Sequence, residues 1–329
     1  MLIDNHNRKI NYVRLAVTDR CNLRCFYCMP EEGINYVKRN ELLSYEEMER
    51  LIKVLASEGI FKVRITGGEP FLRKGMFEFI ESLNHIEGIT ELHITTNGTL
   101  TKGKVQHFRD IGIKSVNLSL DTLNKERFFQ ITRRDEYDTV MATLDELLDS
   151  GIDTKINCVV MQGQNIDDIL PLVALTEAHP ISVRFIEEMP FNGSGDHPAT
   201  LFWTSDQTIK YIKDSYPNLG KIPDSPHSTS MNYHIPGYQG TVGFIAAYSR
   251  LFCGSCNRIR VTPQGMLKTC LYDSGVFSIK ELLRHGASDE ELKVAIQSAI
   301  THRAKDGFEA ERNRGMNNAV SESMATIGG

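Results

Sequence analysis

The 329-residue sequence has no apolar run near the roughly 20 residues that a membrane-spanning helix needs. Its first twelve residues, MLIDNHNRKINY, are too polar and broken for a signal peptide. A cytoplasmic protein with no membrane contact is therefore expected. A basic surplus is also missing: 37 Lys and Arg against 42 Asp and Glu leave a net charge of -5. That balance argues against a general nucleic-acid binder and requires any anionic ligand to be held by a focused cluster of cations. Neither a Walker A loop nor a GxGxxG fingerprint occurs, and the ten histidines show no metal-ligand spacing. There is no solenoid repeat and no low-complexity stretch. Cysteine is scarce, with seven residues, an odd number that a disulfide framework in a reducing compartment would not use.

The cysteines are nevertheless clustered. Cys21, Cys25 and Cys28 stand near the start, Cys253, Cys256 and Cys270 near the end, and Cys158 lies alone in the apolar run INCVVM, as a small buried hydrophobe would. From residue 12 to about 190, short β-rich runs alternate with helical patterns six times. The predicted strands are 12–18, 62–66, 91–96, 115–120, 154–161 and 182–188. A helix over 45–57 is predicted by its apolar spacing, with Ser44 as N-cap, Glu47 completing a capping box and Gly59 ending it. Repeated strand-then-helix units imply an α/β fold: an incomplete (β/α)6 TIM-like barrel whose open side is covered by a C-terminal region. The break at FNGSGDHPAT divides the chain into 1–190 and 191–329. In the second part, strands at 259–262 and 266–271 flank a Pro-Gln-Gly turn, and one helical stretch runs from about 278 to 302.

Each cysteine trio is one ligand short of a closed tetrahedral zinc or four-cysteine iron-sulfur site. Each therefore needs either a distant fourth ligand or an iron left open. RITGGEP, at the end of the second strand, would let a ligand approach the backbone at Gly67 and Gly68 and offers Glu69 as an acceptor for an ammonium. Arg258 and Arg260 share one side of their strand by period two. Taken alone, the second trio reads equally well as a zinc knuckle with exposed arginines. Arg133 and Arg134, beside Asp135 and Glu136, read as a solvated ion-pair cluster at a helix start.

Cys21-x3-Cys25-x2-Cys28, within VTDRCNLRCFYCMP, resembles the signature of the radical S-adenosylmethionine (SAM) superfamily. FCGSCNRIRVTPQGMLKTC, FIEEMPFNGSG and SMATIGG resemble one member family, the GTP 3′,8-cyclases of molybdenum cofactor biosynthesis. Ala247 departs from a proline frequent in that family. The resemblance implies two [4Fe-4S] clusters, one per trio, each with an open iron. It implies SAM bound near Tyr27, Gly67, Gly68, Glu69, Ser119 and Met189, and GTP near Arg14, Arg64, Thr95, Lys155, Arg258, Ile259 and Arg260. Arg14 and Lys155 could equally form ordinary ion pairs. In the implied reaction, one-electron cleavage of SAM yields a 5′-deoxyadenosyl radical that removes the C3′ hydrogen of GTP, and the ribose radical attacks C8. Arg258 and Arg260 would help settle the cyclised radical, and Gly328 and Gly329, otherwise a frayed end, would reach into the active site as catalytic residues. A low-potential electron donor, cyclic pyranopterin monophosphate synthase as downstream partner and a homodimer belong to the same expectation. Another radical SAM enzyme with an auxiliary cluster and a non-catalytic metal-binding module are the alternatives.

Overall fold

A computed structural model describes residues 1–191, 203–314 and 322–328. Most of the predicted boundary segment, and Gly329, lie outside the described residues. Six parallel strands form the frame: β1 (Tyr12–Ala16), β2 (Lys62–Thr66), β3 (Glu91–Thr96), β4 (Ile113–Ser119), β5 (Asp153–Val160) and β6 (Ser182–Glu187). They pair in chain order, each with its successor. Helices α1 (Tyr45–Ser57), α2 (Met76–Asn84), α3 (Val105–Asp110), α4 (Lys125–Thr132), α5 (Tyr137–Ser150) and α6 (Ile169–Ala178) come between them. The capping box on α1 is formed by Ser44 and Glu47 as the spacing predicts.

The C-terminal region extends this sheet at both edges and so does more than cover its open side. Strands β7 (Met231–His234) and β8 (Thr241–Ile245) add beside β6, with β8 parallel to it. Strand β9 (Arg258–Val261) pairs in parallel with β1, and β10 (Met266–Lys268) folds back on β9. With two short outer strands the sheet has twelve members, eight of them consecutive and parallel, and β8 does not pair with β9. The barrel therefore stays open. Beyond α7 (Ser205–Ser215), the single helix expected over 278–302 is two: α8 (Ile279–Arg284) and α9 (Asp289–Thr301). Gly286, in the left-handed region at φ 82°, ends the first, and a capping box of Ser288 and Glu291 starts the second.

Period-two alternation decides what faces where. Outward residues such as Val13, Leu15, Val63, Ile65, Ile94, Leu118, Ile156 and Phe185 join the helices in one core, and Cys158 is among them. The inward positions are polar. A closed (β/α)8 barrel fills its interior with branched apolar side chains, whereas here Arg, Lys, Asn, Ser and Thr line a cavity. Among the described residues no helix is long and apolar enough to cross a membrane.

Candidate active site

The first cysteine loop leaves β1 and is fastened by backbone bonds. Gly68 N donates to Thr18 O and Glu69 N to Arg20 O, both at 2.8 Å. A Cβ on Gly68 would lie 2.2 Å from Arg20 O, and one on Gly67, at φ 153°, 2.4 Å from Thr18 O. The glycine pair is thus required by close packing of two backbones, in addition to lining the cavity. Arg24 Nη1 donates to Cys21 O at 2.6 Å. Arg133, a left-handed C-cap of α4 at φ 56°, donates to the carbonyls of Arg24 and Met29, and Arg134 donates to Arg133 O. These contacts correct the ion-pair reading: both arginines bind carbonyls, and Arg133 braces the cysteine loop.

Glu69 also differs from expectation. It is fully buried and absent from the cavity wall, and its carboxylate accepts from Phe71 N, Thr96 Oγ1 and Asn97 N. It ties the end of β2 to the end of β3, and burial raises it to about 7 against those hydrogen bonds. Tyr27 lines the cavity and donates to Asp121 at 2.8 Å.

All six clustered cysteines are free and line one cavity of about 830 Å³. Pairing of β9 with β1 achieves this, because it sets the loop before β9 and the end of β10 opposite the loop after β1. Burial pushes Cys21 up to about 12 and Cys270 to about 11. Burial would raise Cys256 too, but the guanidiniums of Arg258 and Arg303 outweigh it and bring it to about 6. Among the described residues no three His, Cys, Asp or Glu side chains are grouped as ligands of a single ion. Three thiolates on three different irons of a four-iron cluster need no such convergence.

Strand register arranges the inward side chains in rows. Arg260 pairs with Arg14, Arg14 with Arg64, Arg64 with His93, and His93 with Ser115. A second row runs Thr95, Asn117, Lys155, Ser182, and a third Ser119, Asn157, Arg184. All of these line the cavity, as do Lys62, Met189 and Arg258. Ile259 does not: it is fully buried in the core on the opposite face of β9, so its side chain is not presented to a ligand.

The cations crowd one another. Lys155 falls to about 6 through burial and then the charges of Arg184 and Arg64. Arg184 and Arg260 come down to about 10, each through burial and then one neighbouring guanidinium, Arg64 and Arg258 respectively. Burial, then Arg260, holds Arg14 well below the usual arginine range. Burial would raise Tyr12, yet Arg64, Arg14 and Arg258 draw it down to about 8. Arg14 makes no ion pair among the described residues, whereas Lys155 pairs with Asp153 while still lining the cavity. Buried atoms without partners include Arg14 Nε, Arg184 Nε, Thr66 Oγ1, Thr95 Oγ1, Asn117 Oδ1 and Asn157 Oδ1, all from residues of the cavity wall. Unmet polar atoms around a concentration of positive charge suit a polyanion with hydroxyl and amide groups.

Arg184, Asn117 and Asn157 were not anticipated. The signal was available: Ser182, Arg184 and Ile186 alternate inward on β6 as Asn157 does on β5. Gly328, which the resemblance places in the active site, is absent from the cavity wall: at φ 75° it is packed against β1 and β2, where a Cβ would meet Thr66 Oγ1 at 2.8 Å and Ala16 Cβ at 3.0 Å.

Two family models match successive parts of the chain. The family model "Radical SAM superfamily" matches residues 15–176, and "Molybdenum Cofactor Synthesis C" matches residues 181–308. The chain is 41% identical over 304 residues to Molybdenum cofactor biosynthesis protein 1 of Dictyostelium discoideum, covering 91% of this chain and 48% of that one. It spans about half the length of several such curated relatives. It is 40% identical over 330 residues to the GTP 3′,8-cyclase of Syntrophomonas wolfei, covering 96% and 98% of the two chains. Among solved structures, SuiB of Streptococcus suis bound to S-adenosylmethionine shares the fold, with a TM-score of 0.56 and 16% identity over 82% of this chain and 61% of that one.

Proposed function

The chain belongs to the GTP 3′,8-cyclase family of the radical SAM superfamily, and from that premise we propose that it converts GTP to 3′,8-cyclo-7,8-dihydro-GTP in molybdenum cofactor biosynthesis. As a radical SAM protein it uses SAM and an iron-sulfur cluster. The observation that carries the proposal is the single cavity in which both cysteine trios face a common set of cations.

In this reading residues 1–190 form the radical SAM unit and residues 191–329 carry the second [4Fe-4S] cluster. Cys21, Cys25 and Cys28 hold the first cluster, with SAM beside Tyr27, Gly67, Gly68, Ser119 and Met189. Cys253, Cys256 and Cys270 hold the second. The free thiols lining one space suit both groups as a donor set. When bound, the first cluster and SAM supply the radical that takes a hydrogen from C3′ of the ribose.

The chain's own residues place the nucleotide. Arg14, Arg64, Lys155 and Arg184 converge on the triphosphate, where planar guanidinium forks pair with phosphate oxygens and relieve their mutual repulsion. Thr95, Asn117 and Asn157 offer unmet hydrogen-bonding atoms to its hydroxyl and amide groups. Arg258 and Arg260 stand between the second trio and the nucleotide, and Arg260 also holds Gly328 beside Thr66. Fixing C3′ against the radical converts an encounter into an internal step. A low-potential donor supplies the electron, the product passes to cyclic pyranopterin monophosphate synthase, and the chain can act as a homodimer.

The test is 5′-deoxyadenosine formation by anaerobically reconstituted protein given SAM and dithionite, with GTP deuterated at C3′ present or absent. Stimulation by GTP and deuterium in the deoxyadenosine are expected. Equal cleavage without GTP would overturn GTP as substrate, and absence of both iron and cleavage would favour a non-catalytic metal module.

A further inference from the structure

Cys256 differs from the other clustered cysteines in what meets its sulfur. Arg303, between α9 and α10 (Gly307–Asn313), places Nη2 3.0 Å from Cys256 Sγ and donates from Nη1 to Cys256 O at 3.0 Å. Arg258 Nη2 adds a second cationic donor at 3.6 Å. The contacts to the first trio's sulfurs are neutral: Asn97 Nδ2 stands 3.6 Å from Cys21 Sγ, and the Ser323 hydroxyl 3.8 Å from Cys28 Sγ.

Arg303 is 3% exposed, so its charge needs a counter-ion. Asp4, itself 4% exposed, provides it, with Oδ2 3.5 Å from Arg303 Nη1 and 2.6 Å from Arg8 Nε. Arg8 then donates to the carbonyls of Cys253, Ala304 and Lys305. Two arginines on one carboxylate leave the triad with a net positive charge, one arginine against each cysteine of the Cys253/Cys256 pair. An N-terminal hairpin, Leu2–Ile3 paired with Lys9–Ile10, brings Asp4 and Arg8 to this place.

We propose that Arg303, held by Asp4, is a positioning residue for the second cluster that raises its reduction potential by charge and hydrogen bonding at the Cys256 sulfur. The inference rests on the two-cluster reading above. Reduction adds one electron from an external low-potential reductant and breaks no bond, so the cluster gains one negative charge. A buried cation beside a ligand sulfur stabilises the more negative state preferentially, and hydrogen bonds to the sulfurs act in the same direction. Among the described residues no cationic donor meets the first trio's sulfurs, which gives the two centres different poise within one cavity.

The experiment is an EPR-monitored dithionite titration of the anaerobically reconstituted full chain, comparing wild type with Arg303→Gln and Arg303→Lys, with iron counted in each. The expected result is a second cluster that reduces at lower potential in R303Q, stays near the wild-type potential in R303K, and leaves the first cluster's signal unmoved. Two clusters titrating at wild-type potentials in R303Q would overturn the proposal. Should R303Q lose the second cluster, its retention in R303K supports the cationic role, whereas loss in both variants overturns it in favour of a purely shape-dependent one. A wild-type chain with only about four irons, one [4Fe-4S] complement, would instead overturn the two-cluster reading, which separates the two failures.

Discussion

Arg260 Nη1 donates to the carbonyl oxygen of Gly328 at 2.6 Å, joining a cavity-lining residue of the C-terminal region to the described tail. The same tail reaches the first cysteine loop: the Ser323 hydroxyl donates to Cys28 O at 2.7 Å. The described tail residues 322–328 therefore link the first cysteine loop to β9, and α11 (Met324–Ile327) spaces the contacts.

Arg260 serves both the proposed nucleotide site and the tail, while Arg258 touches Cys256. Replacing either by alanine should leave iron content and fold intact while lowering turnover at least about 100-fold, the usual loss when one donor to a developing charge is removed. Product formation per iron measures this. Activity within twofold of wild type would remove the residue from the site.

The tail has a second anchor in Lys268, which is fully buried and bonded to Glu322 at 3.0 Å, while Arg314 holds the same carboxylate at 2.9 Å. Glu322→Ala strands a buried ammonium. A loss of about 3 kcal/mol is expected, toward the lower end for breaking a buried pair because Glu322 is partly exposed. Denaturant unfolding reads that loss, and faster carboxypeptidase trimming of the variant would show the tail released.

At Gly68 the Cβ of an alanine would stand 2.2 Å from Arg20 O, a backbone atom that cannot swing aside. Gly68→Ala should cost about 1–3 kcal/mol through forced backbone movement. Because the movement falls on the cysteine loop, iron should also leave the first cluster faster under a chelator. A variant with wild-type stability and iron retention would disprove this packing account.

Lys155, brought down to about 6 by burial and the charges of Arg184 and Arg64 although it pairs with Asp153, carries less charge at pH 7.5 than an ordinary lysine before ligand arrives. A triphosphate favours its charged form and moves its pKa back up, so binding takes up a proton between pH 6 and the raised value. Calorimetry of GTP binding in buffers of different ionisation enthalpy should show Lys155→Met taking up about one proton fewer than wild type, and the difference should fade below pH 6. Equal uptake by both would place the triphosphate away from Lys155.

Much of the local structure was legible because its causes are local. The cap at Ser44, the strand runs and the inward pair Arg258 and Arg260 follow from neighbours within a few residues. Glu69 was legible as a motif but not as a buried tie, since its partners Thr96 and Asn97 come from a strand some 27 positions away. Ile259 was grouped with its flanking arginines although alternation turns it into the core. Arg133 looked like part of a charge cluster because the carbonyls it binds belong to a loop more than a hundred residues earlier.

By itself the sequence determined the two thiol trios, the six strand-and-helix units and the absence of a general positive surface. Spacing, periodicity and composition are properties of the chain before it folds. Tertiary structure alone decided that β9 pairs with β1, that the sheet is extended at both edges without closing, and that both trios share one cavity with Arg14, Arg64, Lys155 and Arg184. Pairing between strands some 245 residues apart depends on which edges remain open once the other strands have joined. No window of the sequence carries that information.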